Sequence, residues 1–558
     1  MSLNHREAGN DAADALSEPT KVADRIAQTM WAEGVRFAFG IPGNDVLEII
    51  GACETVGIKF VTAKSEPSAA FMADGVSQAT SRPAACIFAM GPGIANGLSG
   101  IANALMDRTP IIVLAGDIAG QGQGIYTHQV FPHVQAATPF VKWAGELNSG
   151  RPGQQTAKAL QIAKSHPQGP VLLNCPADLT REPSDEAGTP VARPTAALGA
   201  LTKDQADEAS AALGSARRPL ALIGRSALQP GVEGPLRALL EAWRIPFLAT
   251  YKAKGLVPEN HDLCLGALGL SPIIDQAAQE IVGRSDGLVL FGFDPIELRD
   301  AWLDAWPGER VAMTIDWSPQ IHQVFPLGER QFVGDVPQIL QALAIAAPPS
   351  VASDWSTEDF EEYRAQVAHI VRPRLLENAI SPAALFAAVS EQLSDDHLMT
   401  VDVGAHRILA CHAISCRTPG QLLQSNGFCC MGYAIPAAIG TALATGKRTI
   451  ALLGDGCALM SLGELALVRE LDLPITTIIL NDASLALIEL KQRKMNVATS
   501  AVNFRSPDFA TLSKGFGIPV ERVSSNDAFP AALSRALSGD GPNLIEALCD
   551  SSEYLEQM

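Results

Sequence analysis

The stretch 449–482 constrains the fold most strongly, because two different hydrophobic patterns follow each other within it. A short apolar run at 449–453 stops at Gly454-Asp455-Gly456. Leucines and a valine at spacings of three follow, which favours a helix, and a β-rich run at 475–480 stops at Asn481-Asp482. We therefore predict a strand-helix-strand unit.

Two parallel strands joined by a crossover helix end at the same edge of their sheet, so Asp455 and Asn481 are expected to lie close together. Carboxylate and amide oxygens are hard ligands that suit Mg²⁺, which fills its remaining positions with phosphate oxygens and water. Gly454 and Gly456 allow backbone amides to approach a phosphate group closely. The unit predicts a site for Mg²⁺ and a diphosphate.

The length of 558 residues exceeds what one core supports, and an apolar content of 47% with 18% charged residues indicates a globular chain. Two Pro-rich polar linkers, at 182–194 and 346–354, separate segments in which strand and helix patterns alternate. We predict an α/β protein with three Rossmann-like, doubly wound parallel sheets. The predicted boundaries are a disordered lead-in at 1–19 and domains at 20–182, 195–346 and 355–558.

Charge and composition exclude several classes of function. A net charge of −19 argues against nucleic acid and against an anionic membrane surface as partners. No apolar run is long enough to span a bilayer, and the polar, acidic start does not resemble a signal peptide, so we expect a cytoplasmic protein. The ten cysteines are scattered without a Cys-x-x-Cys pair, which makes a disulfide framework or a zinc site improbable.

The central segment resembles a nucleotide-binding sheet in outline, yet it lacks a complete fingerprint. The turn that begins at Gly224 has no second and third glycine of a dinucleotide-binding loop. Asp316 follows a strand, where it could hold a ribose, although a cap or turn role is the more frequent one for such a residue. We expect neither a flavin (FAD) nor a nicotinamide here.

The spacing of Gly-Asp-Gly, 24 residues and Asn-Asp resembles the diphosphate-binding signature of thiamine diphosphate enzymes. The run from Ser65 to Asp117, with Glu66 before a small-residue helix and then Gly91-Pro-Gly93, is similar to the acetolactate synthase group. This resemblance implies that Glu66 activates the cofactor's pyrimidine ring and reaches it from the neighbouring subunit. A homodimer is implied, or a tetramer made of two dimers.

The resemblance also implies roles for other residues around the cofactor. Met431, in the stretch 425–436, matches the position that wedges the cofactor into its bent form, and Cys429 would offer a backbone contact there. Gly404 and His406 match residues near the diphosphate, and Cys457 should contribute its amide. Ala483 matches the third protein ligand of Mg²⁺, which here could use only its carbonyl oxygen.

Similarity to the catabolic, flavin-independent acetolactate synthases extends over most of the chain. It implies that Gln129 and Lys142 face the substrate, where a cation suits a 2-oxo acid carboxylate. Ala137 and Pro132 depart from the group's pattern. Lys491 replaces the Trp or Gln of the group, so we expect it, with Leu487, to influence substrate choice and to favour an additional anionic group; an exposed helix lysine is an equally good interpretation.

Together these observations predict Mg²⁺- and thiamine diphosphate-dependent decarboxylation of a 2-oxo acid with carboligation to a second carbonyl compound. Two alternatives stay open. If a proton is the electrophile, the protein is a simple 2-oxo acid decarboxylase. If the chain binds the cofactor without catalysing a reaction, it is a non-catalytic scaffold. The complete set of Glu66, Met431, Asp455 and Asn481 argues against the scaffold.

Overall fold

The computed structural model describes most of the chain from residue 20 onward. The described residues are 20–122, 124–188, 190–193, 198–303, 311–320, 330–348, 351, 353–374, 376 and 379–558. The predicted lead-in at 1–19 lies outside them. Among the described residues, no helix combines the length and the apolar character that crossing a membrane would require.

The first domain is a six-stranded parallel sheet in the order β2-β1-β3-β4-β6-β5, with helices packed on it. Its strands are β1 Phe37–Ile41, β2 Lys59–Thr62, β3 Ala84–Phe88, β4 Ile111–Asp117, β5 Trp143–Glu146 and β6 Val171–Pro176. Its helices are α1 Val22–Ala32, α2 Leu47–Thr55, α3 Glu66–Thr80, α4 Pro92–Met106, α5 His133–Ala137, α6 Pro152–Lys164 and α7 Ala177–Arg181. The central strands β3 and β6 are buried along their whole length, as expected for a parallel sheet covered on both faces.

The central domain is a second six-stranded parallel sheet, in the order β12-β11-β10-β7-β8-β9. Its strands are β7 Pro219–Ile223, β8 Phe247–Thr250, β9 Cys264–Leu268, β10 Gly287–Phe291, β11 Val311–Asp316 and β12 Arg330–Val333. Its helices are α8 Lys203–Ser215, α9 Glu233–Trp243, α10 Pro272–Arg284 and α11 Val336–Ile345. Counted from its first strand, this order is that of a dinucleotide-binding sheet, and the strand order reverses between β7 and β10.

The third domain is a six-stranded parallel sheet in the order β14-β13-β15-β16-β18-β17. Its strands are β13 Leu398–Val401, β14 Leu422–Gln424, β15 Thr449–Gly454, β16 Ile475–Asn481, β17 Val520–Val523 and β18 Asn543–Leu548. Between the central domain and this sheet lies α12 Thr357–Ile370, and the helices that follow are α13 Pro382–Gln392, α14 Ala405–Ala413, α15 Ala434–Thr445, α16 Asp455–Ser461, α17 Leu465–Glu470, α18 Ala486–Lys494, α19 Phe509–Gly515, α20 Phe529–Ser538 and α21 Tyr554–Gln557. The predicted α/β class with three parallel sheets is confirmed.

Helix α12 belongs structurally to the central domain, although the sequence analysis assigned residues from 355 onward to the third. Trp355 donates from Nε1 to the carbonyl oxygen of Pro219, and Tyr363 packs among the buried residues of the central sheet. Arg364 donates to the carbonyl oxygen of Cys264 on β9. The linker composition marked where the chain leaves α11, and the helix that follows the linker still packs on the central sheet.

The first and third domains repeat one strand order, and they pack together through α3 and α15. Glycines allow the two helices to approach closely. A Cβ at Gly75 would lie 2.3 Å from the carbonyl oxygen of Ala437, and one at Gly440 would lie 2.0 Å from that of Met72. Tyr433, at the start of α15, donates to the buried carboxylate of Asp74 at 2.7 Å. This contact fixes how the carboxyl edge of the third sheet is placed against the first domain.

Candidate active site

The strand-helix-strand unit brings its two polar ends together. In the parallel register of β15 and β16, Gly454 lies opposite Leu480. The side chain of Asp455 is buried, and it accepts hydrogen bonds at 2.8 Å from the amides of both Gly456 and Ala483. The carboxylate therefore connects the two loops that follow these strands.

The side chain of Asn481 is oriented by a buried acid. Its Nδ2 donates to Oε1 of Glu546 on β18, at 2.9 Å. Since the amide nitrogen is held in this way, the side-chain oxygen is the atom left for a ligand. A carboxylate, an amide oxygen and the Ala483 carbonyl form the kind of oxygen-donor set that Mg²⁺ completes with phosphate oxygens and water.

Electrostatics favour a cation at this edge. Burial raises the pKa of Asp455 to about 6. Burial, together with repulsion from Asp455, raises the pKa of Asp482 to about 7. Two desolvated acids that disfavour each other's charge are stabilised when a cation lies between or beside them. The residues present thus fit a divalent metal.

A cleft of about 130 Å³ opens at the same edge. Most of the residues predicted to hold the cofactor line it, namely Gly404, His406, Met431, Gly454, Asp455, Gly456 and Cys457, and so does Leu487, which was expected to influence substrate choice. These residues come from separate segments of the chain and meet in one cavity. Asn481, Ala483, Cys429 and Lys491 lie outside that lining set.

His406 provides an independent sign that a polar ligand fits the cleft. It is buried, and its Nε2 has no hydrogen-bond partner within the described part of the chain. Burial lowers its pKa to about 4. Gly404 has a φ of 154°, and a Cβ there would lie 2.7 Å from the His406 ring. Glycine at 404 therefore gives this ring its place beside the loop of Gly454.

Met431 lines the cleft close to the backbone of the Gly454-Asp455-Gly456 turn. Its Cε lies 3.7 Å from the position that a Cβ on Gly456 would take, and Leu485 lies closer, at 2.8 Å. A flexible thioether is suited to filling an irregular gap between two parts of a ligand. Cys457 also lines the cleft, and its thiol donates to the carbonyl oxygen of Val403 at 3.1 Å, so thiol chemistry is not needed to explain it.

Asp402 is a structural determinant of the site that the sequence analysis missed. It is fully buried and accepts hydrogen bonds from the backbone amides of Val403, Gly432 and Ala434, at 2.8 to 3.0 Å. These bonds fix the segment that carries Met431 to the end of β13. An aspartate directly after a buried strand was the available sequence signal.

Replacing Asp402 with Ala is expected to leave three buried amides unpaired and to lower the free energy of unfolding by about 3 kcal/mol. Urea-induced unfolding measures the loss. The matched control is Asp396→Ala, because that side chain is exposed and its removal should leave the midpoint unchanged. Equal midpoints for both variants would contradict the positioning role.

Cys429 lies beside the site without lining the cleft. Its φ of 53° is unusual for a residue other than glycine, and its sulfur contacts a guanidinium nitrogen of Arg407 at 3.4 Å. Arg407 is buried and also donates to the carbonyl oxygen of Ser425. The two contacts tie the turn at 425–431 to α14.

Glu66 is the first residue of α3, and it does not line the cleft. Ser65 caps the helix by accepting from the amide of Ser68. The Glu66 side chain is partly exposed and lies within 3.4 Å of the Asn96 side-chain nitrogen, close to Gly93 of the glycine turn. Among the described residues, all those lining the cleft belong to the third domain. One chain therefore does not bring Glu66 and Asp455 into one cavity.

Gln129 lies at the glycine turn of the first domain, whereas Lys142 does not. A Cβ on Gly91 would lie 2.5 Å from the carbonyl oxygen of Gln129, so the two loops touch. The ammonium group of Lys142 instead donates to the carbonyl oxygens of Ile162 and Ser165 and to the Ser165 hydroxyl. In place of the expected contact with a substrate, the structure gives Lys142 a capping role at the end of α6. Burial lowers its pKa to about 8.

A buried network of hydrogen bonds supports the glycine turn. The amide of Gly91 donates to Nε2 of His133 at 3.0 Å, and the His133 Nδ1 lies 2.9 Å from the Asn174 side-chain oxygen. Asn174 donates in turn to Asp117 and to Glu146. This network holds the turn at the carboxyl edge of the first sheet, and the sequence analysis did not identify it.

Helix α18 carries both residues expected to select the substrate. Leu487 lines the cleft, and Lys491 lies four residues later, which places the two on the same face of the helix. Lys491 is exposed. The carboxylate of the neighbouring Glu489 accepts hydrogen bonds from Arg493 and from the hydroxyl of Ser484.

Comparison with protein-family models agrees with this geometry. Residues 20–137 match the N-terminal TPP binding domain of thiamine pyrophosphate enzymes, residues 206–343 match their central domain, and residues 402–547 match their C-terminal TPP binding domain. Three α/β domains, with a cleft suited to a phosphate group at the edge of the third, agree with this class of enzyme. The chain belongs to the thiamine pyrophosphate enzyme family, in which the cofactor is the compound also called thiamine diphosphate.

Within this family the chain is acetolactate synthase-like. It is 26% identical over 542 residues to the acetolactate synthase of Bacillus subtilis (strain 168), covering 96% of this chain and 94% of that protein. It is 26% identical over 561 residues to the acetolactate synthase isozyme 1 large subunit of Escherichia coli (strain K12), covering 96% and 95%. The catabolic acetolactate synthase of Raoultella terrigena is 26% identical over 531 residues, covering 94% of each chain. The protein is a thiamine pyrophosphate-dependent enzyme of the carboligase or lyase type.

Proposed function

We propose that this enzyme decarboxylates a 2-oxo acid and joins the remaining fragment to a second carbonyl compound, with Mg²⁺ as the metal. The observation that carries the proposal is the convergence of Asp455, the Ala483 loop and His406 on one cleft at the carboxyl edge of the third sheet. Likeness to acetolactate synthases along almost the whole chain supports the carboligation step. Bound thiamine diphosphate supplies the carbon nucleophile and the electron sink for this chemistry.

The residues around the cleft form two groups, one for the diphosphate end of the cofactor and one for its bent part. Asp455, the Asn481 side-chain oxygen and the Ala483 carbonyl would bind Mg²⁺, which neutralises the diphosphate. Backbone amides after Gly454, including that of Cys457, lie at the start of α16, where the helix dipole favours an anion. Met431, which also lines the cleft, would support the bent form of the cofactor.

The acid that activates the pyrimidine ring would be Glu66 of a second subunit. Among the described residues of one chain, those that line the cleft all belong to the third domain and Glu66 lies elsewhere, so a partner completes the site most simply. Large apolar side chains are exposed in both domains, at Ile125, Tyr126 and Val130 in the first domain and at Phe428, Leu459 and Met460 in the third. Surfaces of this kind are typical of protein interfaces, which supports a homodimer or a tetramer built from dimers.

Incubation with a panel of 2-oxo acids tests the proposed reaction. We expect CO₂ release that requires both thiamine diphosphate and Mg²⁺, and a ligated hydroxy-oxo acid as the main product detected by mass spectrometry. An aldehyde in amounts equal to the CO₂ would instead identify a simple decarboxylase. Absence of CO₂ release from every 2-oxo acid would contradict the proposal.

Lys491 is proposed to favour substrates with an additional anionic group. Replacing it with Glu should lower kcat/KM for a 2-oxo diacid about 10-fold relative to that for pyruvate, because the charge that α18 presents beside the partly solvated cleft reverses sign. The control is Lys514→Glu, which makes the same change on exposed α19, away from the cleft lining. An unchanged ratio of the two kcat/KM values would remove the proposed role.

A further inference from the structure

A second large cavity lies where the three domains meet, away from the cleft described above. It has about 350 Å³ of interior volume. The first domain contributes the end of α3 with Gln78, the central domain the loop after β7 with Arg225, and the third domain the segments at 418–423 and 445–447. Arg225 lies two residues after the end of β7, beside the point where the central strand order reverses. Open α/β sheets bind ligands at such points.

Among the described residues, Arg225 is a buried cation without a partner for its charge. The residue is 7% exposed, and its Nε has no hydrogen-bond partner within the described part of the chain. The described residues also offer its guanidinium no ion pair within 4.0 Å. The nearby acid Glu297 is already occupied, because it accepts from the backbone amides of Arg225 and Asp294 and from the Thr250 hydroxyl. Leaving a buried charge unpaired is costly, so a site with this feature favours an anion.

Lys252 adds a second buried positive charge to the same cavity. It is 3% exposed and donates to the Gln78 side-chain oxygen at 3.2 Å and to the Gln424 carbonyl oxygen. One carboxylate oxygen of Asp107 lies 3.4 Å from its Nζ. That acid also accepts from the amide of Asn426 and from the Asn103 side chain, so it neutralises Lys252 only in part.

The distribution of charge within the cavity is directional. The two buried side chains are cationic, whereas the carboxylates of Glu233 and Asp395 lie at more exposed positions of the lining. Lys447 is also at the exposed rim, where it pairs loosely with Asp396. An anion that enters past the rim would meet Arg225 and Lys252 in a region of low dielectric constant, where ionic hydrogen bonds are strongest.

We propose that this three-domain cavity is a binding site for a small polyanion of the phosphate or dicarboxylate class, held by Arg225 and Lys252. The site is separate from the cofactor cleft and shares no lining residue with it. The arginine fork binds two oxygens of such an anion, and the volume accommodates a molecule of a few carbon atoms.

Isothermal titration calorimetry on the protein saturated with thiamine diphosphate and Mg²⁺ tests the proposal, since the cofactor then fills the first cleft. Inorganic phosphate and succinate are titrated separately at constant ionic strength. We expect one of them to bind with defined stoichiometry, and the tighter of the two identifies the class. Arg225→Gln should weaken that binding at least about 10-fold, Arg225→Lys less, and the exposed control Lys203→Gln not at all.

A second variant covers the case in which Arg225→Gln does not fold. Gln229→Glu adds a negative charge to the cavity lining without removing a buried group, and it should weaken binding of the same anion by repulsion. Binding of neither anion, or binding that is equally strong in the Arg225 and Gln229 variants and in the unaltered protein, would overturn the proposal. Neither result bears on the cofactor cleft, because its occupancy is held constant.

Discussion

Replacing Glu66 with Gln is expected to slow hydrogen–deuterium exchange at the thiazolium C2 of bound cofactor by about 10²- to 10⁴-fold, the range for removal of a general acid or base. Glutamine has nearly the same size and can contact Asn96 as Glu66 does, so folding should be retained. It cannot share a proton with the pyrimidine ring nitrogen in the way that a carboxyl group does. The exchange rate is measured by NMR after acid quench.

Cofactor affinity separates this role from a structural one. The third domain is proposed to hold the diphosphate end, so the Kd for thiamine diphosphate should change little in the Glu66→Gln variant. The matched control is Glu54→Gln, an exposed glutamate on α2 of the same domain, which should leave both quantities unchanged. Undiminished exchange in Glu66→Gln would show that another group activates the ring.

Replacing Asp455 with Ala is expected to weaken the binding of Mg²⁺ and thiamine diphosphate by more than about 100-fold, since loss of even an outer-shell contact costs 10- to 100-fold. The carboxylate is buried and connects the amides of Gly456 and Ala483. Its removal would therefore take away the proposed metal ligand and also release the two loops from each other. Fluorescence or calorimetric titration with cofactor at saturating Mg²⁺ measures the loss.

Asp540→Ala is the control for this variant, because Asp540 is an exposed acid on the same domain. Chelation of the metal from the unaltered protein should give the same loss of cofactor affinity as Asp455→Ala. If the variant bound thiamine diphosphate normally and still responded to Mg²⁺, the metal site would have to lie elsewhere.

The sequence predicted the architecture well because its strands are long apolar runs that end at glycines and polar residues. Parallel strands place those ends at a single edge, which is why Gly454, Asp455 and the Ala483 loop could be expected to meet. The Asp316 carboxylate accepts hydrogen bonds from the Trp317 amide and the Gln320 side chain. These contacts within its own turn agree with the turn role that the sequence favoured.

Residues whose role depends on contacts between distant segments could not be predicted in this way. Asp402 acts on amides about 30 residues away, and no local pattern reveals which carboxylate folds back onto a turn. Lys142 was expected to face a substrate because it resembles a lysine of related enzymes. Its long side chain instead reaches the end of α6, which only the packing of that helix determines.

The position of α12 shows the same limit for domain boundaries. Proline-rich composition marks a linker, but it does not determine which neighbouring core the next helix joins. Trp355 and Tyr363 are the residues that decide it, because both bury apolar surface against the central domain.

A complementation experiment tests the central claim most directly, namely that Asp455 of one subunit and Glu66 of another form each active site. Chains carrying Glu66→Gln and chains carrying Asp455→Ala are given different affinity tags, coexpressed, and purified as the mixed dimer. One site of that dimer then has both residues intact, while the other lacks both, so about half of the normal activity should return although each variant alone is inactive. Mixed dimers without activity would show that both residues serve a site within one chain and would contradict the account.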